Sequence, residues 1–257
     1  MNIFKQLWVS LYSPKDIGSF QNQGIGKTIL YVFFLSLIFF LPSAFYLGTM
    51  ITNGINAISE TVSEEMPDFE IKNGTLTSAD KEPFVLKKDN YQIFVDGTGS
   101  LTPKDVSEKT DEAVALLKSE LVFVSNGNIQ TSPYSLLEGN NEDLYKWIHS
   151  VESVLPIILP LLLLTLYLFT AAGTFLKVTI LAAFGTIFRS TMGRSISYRH
   201  LWRIAAYSIT LSTIFFTIMD AFQAEVPFAS FISWFVSLIM LHLSIKETND
   251  NPEEIGS

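Results

Sequence analysis

The sequence contains no cysteine. This absence excludes disulfide bonds, thiolate metal sites and cysteine nucleophiles. A domain of about 100 residues on the outer side of a membrane would therefore depend on its hydrophobic core alone, which is feasible at that size.

Motifs of the familiar enzyme classes are also missing. The chain has no G-x-S-x-G, H-E-x-x-H or P-loop pattern and no D-x-D-x-D-G calcium loop. Its basic residues form no stripe of the kind that binds nucleic acid. The sequence therefore predicts a protein that is not an enzyme, with no catalytic residue, no cofactor, no metal ligand and no nucleic-acid partner.

Charged residues are scarce, because they make up 16% of the chain while 48% of the residues are hydrophobic. The mean hydropathy is +0.33. The acidity is local: residues 54–150 hold 17 acidic and 8 basic side chains, a net charge of −9, whereas the rest of the chain carries a net charge of +1. An apolar chain with one acidic block is typical of a membrane protein with a polar domain outside the bilayer.

Long apolar stretches predict a membrane-embedded α-helical bundle of four spans with an inserted extracytoplasmic α+β domain. Lys5, Lys15 and Lys27 precede the first span, so the positive-inside rule places both termini of this multi-pass cell-membrane protein in the cytoplasm. The predicted segments are an N-terminal region (1–27), four transmembrane helices (28–50, 153–188, 204–221 and 228–245), the extracytoplasmic domain (51–152), a basic cytoplasmic loop (189–203) and a cytoplasmic tail (246–257).

The second apolar stretch has two interpretations. Residues 153–188 contain one charge, that of Lys177, and as one helix they would be roughly 54 Å long, well beyond a bilayer core of about 30 Å. Lys177 would then lie at the inner head-group level, where its side chain can reach water. A turn at residues 171–174 would instead give five spans, but it leaves too few residues for the extra span and violates the positive-inside rule. The pattern favours the single helix and leaves five spans as the alternative.

The polar block shows three strand-like runs, each followed by a turn dipeptide. The dipeptides are Asn73-Gly74, Asp96-Gly97 and Asn126-Gly127, which predict three β-hairpins. Residues 55–65 and 108–117 have helical patterns, and residues 138–152 continue a helical pattern into the next span. The block is therefore expected to be a small α+β domain.

Several residues are candidates for contact with lipid. Residues 1–12 form an amphipathic pattern that places Ile3, Leu7 and Trp8 on one face and Gln6 and Ser10 on the other, and Ser13-Pro14 begins a second short helix. The basic loop could bind anionic head groups or act only as the topology determinant. The candidate lipid-contacting residues are Trp8, Lys177, Arg189, Arg194, Arg199 and Arg203.

Several segments together resemble a known family. They are YSPK at 12–15 within the opening segment 4–20, MPDFEIKNGTL at 66–76, IFVDGTG at 93–99, GRSISYRHLWR at 193–203 and AAYS at 205–208. Over most of its length the chain resembles the Domain of Unknown Function 1189 family of Gram-positive membrane proteins. The opening segment and the 193–208 region are also distantly similar to the Yip membrane-protein family, which implies a cytoplasmic N-terminus and a role in membrane trafficking or organisation. Neither resemblance supplies catalytic residues.

These patterns predict a binding role rather than a chemical one. The extracytoplasmic domain is expected to act in sensing, scaffolding or accessory binding, with the lipid bilayer and an envelope protein or small ligand as partners. The alternatives are a transporter subunit and a membrane-organising Yip-like protein.

Overall fold

The chain forms two compact units. A computed structural model describes residues 1–88, 91–134 and 138–248. The first unit, called the helical unit, combines Met1–Thr49 with Leu159 and the residues after it, and the second, called the inserted unit, is Met50–Ile158. Most of the predicted tail at 246–257 lies outside the described residues.

The structure contains eight α-helices and eight β-strands in the described residues. The helices are α1 (Ile3–Ser10), α2 (Pro14–Ser19), α3 (Ile25–Glu60), α4 (Pro103–Lys109), α5 (Asn141–Thr191), α6 (Tyr198–Ser208), α7 (Thr210–Ala221) and α8 (Ala229–Lys246). The strands are β1 (Phe69–Lys72), β2 (Thr75–Ser78), β3 (Phe84–Lys87), β4 (Gln92–Val95), β5 (Glu112–Leu116), β6 (Glu120–Ser125), β7 (Asn128–Pro133) and β8 (Gly139–Asn140).

Four helical segments of the described chain are long and apolar enough to cross a membrane, which confirms the predicted number. They are Ile25–Glu60, Asn141–Thr191, Tyr198–Ala221 and Ala229–Lys246. The second apolar stretch lies entirely within one continuous helix, α5, which has 51 residues, as the single-helix interpretation expected. Gly173 lies in the interior of α5 and forms no turn, so the two-span interpretation is wrong.

Helices continue across two of the predicted segment boundaries. α3 does not end at residue 50 but runs to Glu60 and a π-helical turn at Thr61–Glu65, so the separate helix predicted at 55–65 is a part of it. The predicted basic loop at 189–203 is largely helical, since Arg189 lies in the last turn of α5 while Arg199 and Arg203 lie in α6. The cause is the helical spacing of buried residues in α6, such as Leu201 and Ile204.

The N-terminal helices belong to the core of the helical unit. The Ser13 hydroxyl accepts a hydrogen bond from the Asp16 amide at 3.2 Å and Pro14 occupies the first position of α2, as predicted. Ile17 is fully buried in the same cluster as Tyr31 and Leu241. A Cβ atom at Gly18 would lie 2.8 Å from the Ser244 carbonyl oxygen, so glycine permits the close approach of α2 to α8.

The inserted unit has the predicted α+β character, with two sheets. One sheet has the order β2-β1-β8 and the other β3-β4-β5-β6-β7, in which β4 and β5 pair in parallel and the other neighbours are antiparallel. Because side chains alternate along a strand, the five-stranded sheet contributes to two separate cores. One core contains Phe69, Leu76 and Ile93, and the other contains Phe94 and Val106 of α4.

Two of the three predicted hairpins are confirmed. Asn73-Gly74 joins β1 to β2 and Asn126-Gly127 joins β6 to β7, all four with positive φ as a type I′ turn requires. The hairpin predicted at Asp96-Gly97 is wrong, because β4 pairs with β3, which precedes it, and in parallel with β5.

The helix predicted at 108–117 is also wrong. The structure has β5 there, preceded by α4, which begins at a capping box formed by Thr102 and Asp105.

Candidate functional site

A cavity with a mostly apolar lining and several polar side chains lies among α3, α5, α7 and α8 within the helical unit. Its volume is about 480 Å³, which is within the range of roughly 300–1,000 Å³ that small-molecule sites occupy. The side chains that give it its chemistry are Thr174, Lys177, Thr213, Asp220, Ser233 and Trp234. A cluster of hydroxyl and charged groups inside apolar helices points to a functional site rather than to packing alone.

Helical spacing brings these residues to one place. On α5, Thr170, Gly173, Thr174 and Lys177 all line the cavity, and their spacing puts them on one face of the helix. Thr213 and Asp220 stand two turns apart on α7 in the same way. Gly173 has open space where a side chain would lie, so the glycine contributes to the volume of the cavity.

Lys177 lies inside the helical unit. Its ammonium donates a hydrogen bond to the Ser233 hydroxyl at 2.7 Å and lies 5.7 Å from the centroid of the Trp234 ring, within cation–π distance. Lys177 stands 14 residues before the end of α5, or about 21 Å along the helix. The ammonium turns toward α8, and the head-group position expected for this side chain stays a prediction. Its lipid contact stays a prediction.

A second cavity, of about 640 Å³, adjoins the first at the end of α7. The two cavities share Phe216, Asp220 and Ala229. The second is also lined by Tyr46, whose hydroxyl donates to the Ala221 carbonyl at 2.7 Å, and by Glu225. Asp220 and Glu225 therefore line one cavity, and Asp220 belongs to both.

The predicted lipid-contacting arginines fall into two groups. Three of them donate to backbone carbonyls: Arg189 to Ile196, Arg194 to Lys246 at 3.0 Å, and Arg203 to Gln21 at 2.6 Å. These bonds tie the last turn of α5 to the connection before α6, that connection to the end of α8, and α6 to the segment that precedes α3. Arg199 is exposed. The structure thus gives three of the four arginines a role in packing, and lipid contact stays a prediction for all four.

α1 exposes aromatic side chains and buries polar ones. The polar residues Gln6 and Ser10 are buried, whereas Phe4 and Trp8 are 65% and 66% exposed. Part of the predicted polar face therefore lies against the bundle, together with Ile3 and Leu7 of the predicted apolar face. An outward aromatic stripe with polar residues inside is typical of a helix at a membrane interface.

The polar residues of α1 contribute to a buried network that the sequence did not reveal. Gln6 donates to the Gln23 side chain at 2.7 Å, and the Tyr207 hydroxyl donates to Gln6 at 3.3 Å. Gln23 in turn donates to the Tyr207 hydroxyl. The hydroxyls of Tyr31 and Thr210 lie 2.6 Å apart next to it. These bonds hold the N-terminal segment, α3 and the α6–α7 junction together.

Sequence reasoning singled out Asp220 as a charge at the edge of a predicted span, but it missed Thr213 on α7 and the cavity residues on α8. Ser230, Ser233 and Ser237 recur at helical spacing in a predicted span, and this stripe of hydroxyls could have been found. Their partner could not, because Lys177 and Ser233 are 56 residues apart in sequence. Glu152, which directly precedes the span predicted at 153–188, contacts His149 at 3.3 Å in the inserted unit.

Comparison with known proteins gives a family and nothing further. The family model described as a protein of unknown function, DUF1189, matches residues 4–245. No curated protein and no solved structure matches the chain. The match covers α1 to α8 almost completely and includes both units. The chain therefore belongs to the DUF1189 family of proteins of unknown function.

Proposed function

We propose that this chain is a multi-pass protein of the cell membrane of a Gram-positive bacterium, with both termini in the cytoplasm and the inserted unit outside. Large apolar side chains on the four long helices support insertion, since Phe45, Phe169 and Phe231 are 68%, 72% and 71% exposed. The basic residues around α6 and the acidity of the inserted block support the orientation.

The proposed role is binding without catalysis: the inserted unit recognises an envelope protein or a small ligand and acts as a sensor, scaffold or accessory subunit. One observation carries this proposal. The inserted unit has two sheets and two hydrophobic cores of its own, which is more structure than a connection between two helices requires. A long insertion that keeps its own core is typical of a functional domain.

The proposed orientation predicts the labelling of single cysteines. Ser132→Cys in β7 is expected to react with a membrane-impermeant maleimide in intact cells, whereas Ser190→Cys near the end of α5 should react only after permeabilisation. Both positions are exposed and the chain has no other cysteine, so each variant carries one thiol. Labelling of Ser190→Cys in intact cells would contradict the orientation.

The binding role predicts contacts at exposed apolar positions of the inserted unit. Phe123 and Ile129 are 45% and 42% exposed on the five-stranded sheet. A photo-reactive benzoylphenylalanine at either position of the full chain is expected to give a discrete product with an envelope protein, or the purified chain should carry a small molecule that mass spectrometry detects. The same probe at Tyr12 is the control and should give a different pattern. Two outcomes would contradict the binding role. One is that no cross-linked product and no bound molecule are found, and the other is that the probe at Tyr12 gives the same product.

Two other functions have a supporting observation each. A transporter subunit is favoured by the cavity around Lys177, because polar groups inside apolar helices commonly mark a solute pathway. A membrane-organising role like that of the Yip family is favoured by the outward aromatic stripe of α1. Both concern the helical unit and are compatible with a binding role for the inserted unit.

A further inference from the structure

Two opposite charges line the same cavity of the helical unit without pairing. Lys177 and Asp220 both border the 480 Å³ cavity. Neither takes part in an ion pair with any of the residues that the structure describes. The half-buried ammonium of Lys177 has no counter-charge, which is costly in apolar surroundings, and the carboxylate of Asp220 is exposed at the same cavity. A ligand that carries one charge of each sign can pair with both residues.

The ammonium of Lys177 has hydrogen-bonding capacity to spare. A lysine ammonium has three N–H donors, and Ser233 accepts one of them at 2.7 Å. Trp234 covers another side of the ammonium with its ring. The remaining donors suit the oxygen atoms of a phosphate or carboxylate.

The threonine hydroxyls of α5 that line the cavity can only accept hydrogen bonds from a ligand. Thr170 and Thr174 already donate to the carbonyls of Leu166 and Thr170, at 3.0 Å each. Their oxygens retain lone pairs but have no hydrogen left to donate. They stand two turns and one turn before Lys177 on the helix. Together with the carboxylate of Asp220 they suit a ligand group that is rich in N–H donors.

We propose that this cavity binds a zwitterionic group that carries a primary ammonium and a phosphate or carboxylate a few bonds apart. The acidic group contacts Lys177 and Ser233, and the ammonium contacts Asp220 and the threonine oxygens. A purely anionic ligand would be repelled by the carboxylate of Asp220 at the same cavity, and a purely cationic ligand would be repelled by the ammonium of Lys177. Ethanolamine phospholipids and free phosphoethanolamine both have this chemistry.

The second cavity offers a route to this site. It shares Asp220 and Ala229 with the first and extends past Gln223 and Glu225 in the connection between α7 and α8. Asp220 thus stands where the two cavities meet. A ligand that enters from this end meets the carboxylate first and Lys177 further in.

The test is a lipid titration of the full-length protein by native mass spectrometry in detergent. The probes are phosphatidylethanolamine, phosphatidylglycerol, phosphatidylcholine and soluble phosphoethanolamine. Phosphatidylethanolamine is expected to bind about tenfold more tightly than the two other lipids, which is the scale of one charge-assisted hydrogen bond. Phosphatidylglycerol lacks the ammonium, and the ammonium of phosphatidylcholine has no N–H. Binding of phosphoethanolamine alone identifies a soluble ligand, and binding of the lipid alone identifies a head group.

Substitutions assign the binding to the cavity. K177M and D220N are each expected to weaken binding of the preferred probe about tenfold, whereas K177R keeps the charge and should retain it within about threefold. The matched controls are K15M, an exposed lysine in α2, and E247Q, an exposed glutamate directly after α8; both residues lie outside the two cavities, and neither substitution should change binding.

The proposal fails if phosphatidylglycerol binds as tightly as phosphatidylethanolamine, or if D220N leaves the preference between them unchanged. Asp220 lies exposed near the end of α7, so D220N is expected to fold and carries the test even if K177M does not. Binding of no probe also overturns the proposal. Because the inserted unit takes no part, these outcomes are independent of its proposed partner.

Discussion

Tyr207→Ala is expected to release the N-terminal segment from the helical unit. Tyr207 is fully buried, and its ring centroid lies 4.1 Å from that of Tyr31 and 4.6 Å from that of Phe20. Removing a buried aromatic side chain costs about 3–5 kcal/mol when the surroundings cannot collapse. Here the loss also breaks both hydrogen bonds between the hydroxyl and the glutamines Gln6 and Gln23.

The release should be visible in hydrogen–deuterium exchange of the purified full-length protein. A loss of about 3 kcal/mol raises the opening equilibrium by more than about 100-fold, and the effect should be concentrated in amides of α1 and α2. Tyr207→Phe keeps the ring, and Gln6 still pairs with Gln23 at 2.7 Å. A loss of about 1 kcal/mol is therefore expected for that variant.

Tyr12→Ala is the matched control, because this tyrosine in the same segment is 63% exposed. Its exchange pattern should equal that of the wild type. Exchange in α1 and α2 of Tyr207→Ala that stays within about threefold of the wild type would show that other contacts, such as the Arg203–Gln21 bond, suffice to hold the segment.

The parts of this fold that sequence predicted are those that local chemistry decides. The four long apolar segments follow from composition, the start of α2 from Ser13-Pro14, and two hairpins from Asn-Gly pairs that accept positive φ. The single helix over α5 follows from length and the charge distribution, because no strong turn signal interrupts it.

Long-range pairing decided the parts that sequence did not predict. Asp96-Gly97 has the composition of a hairpin turn, but β4 finds its partner in β5 by a parallel crossover that no local pattern specifies. Gln6 was assigned to an outward polar face because α1 was interpreted alone, whereas its partner Tyr207 lies 201 residues away. The candidate cavity also depends on long-range packing. Lys177 is visible in the sequence as an isolated charge, but only the packing of α5, α7 and α8 places Ser233 and Asp220 at the same cavity.

Asp96→Ala is expected to lower the free energy of unfolding of the inserted unit by about 3 kcal/mol, since the loss leaves several buried donors without an acceptor. Asp96 is fully buried after β4. Its carboxylate accepts hydrogen bonds from the amides of Thr98, Gly99 and Leu101 at 2.9, 3.1 and 2.7 Å, and from the Thr98 hydroxyl at 2.6 Å. Gly97 fits this loop because a Cβ there would lie 2.7 Å from the Ser78 amide nitrogen.

Asp105→Ala is the comparison for this variant. The Asp105 carboxylate also accepts two hydrogen bonds, from the amide and hydroxyl of Thr102, but in an exposed capping box. A loss of about 1 kcal/mol is expected there. Hydrogen exchange of β4, β5 and β6 in the full-length protein measures both variants. Equal effects would show that water replaces the lost carboxylate of Asp96 as readily as that of Asp105.

The contribution of Asp96 should also depend on pH. Burial opposes the charged form, but the hydrogen bonds from Thr98, Leu101 and Gly99 outweigh burial, so the pKa of Asp96 is held below its usual value. A carboxyl with a lowered pKa in the folded state stabilises that state fully above its unfolded pKa of about 4, and this stabilisation is lost as the pH falls through the folded-state pKa. The free-energy difference between wild type and Asp96→Asn should therefore be constant from about pH 5 to 7 and shrink below about pH 4. A difference that stays constant down to pH 3 would mean that the charge of this carboxylate contributes nothing, and that the shape of the side chain alone holds the loop.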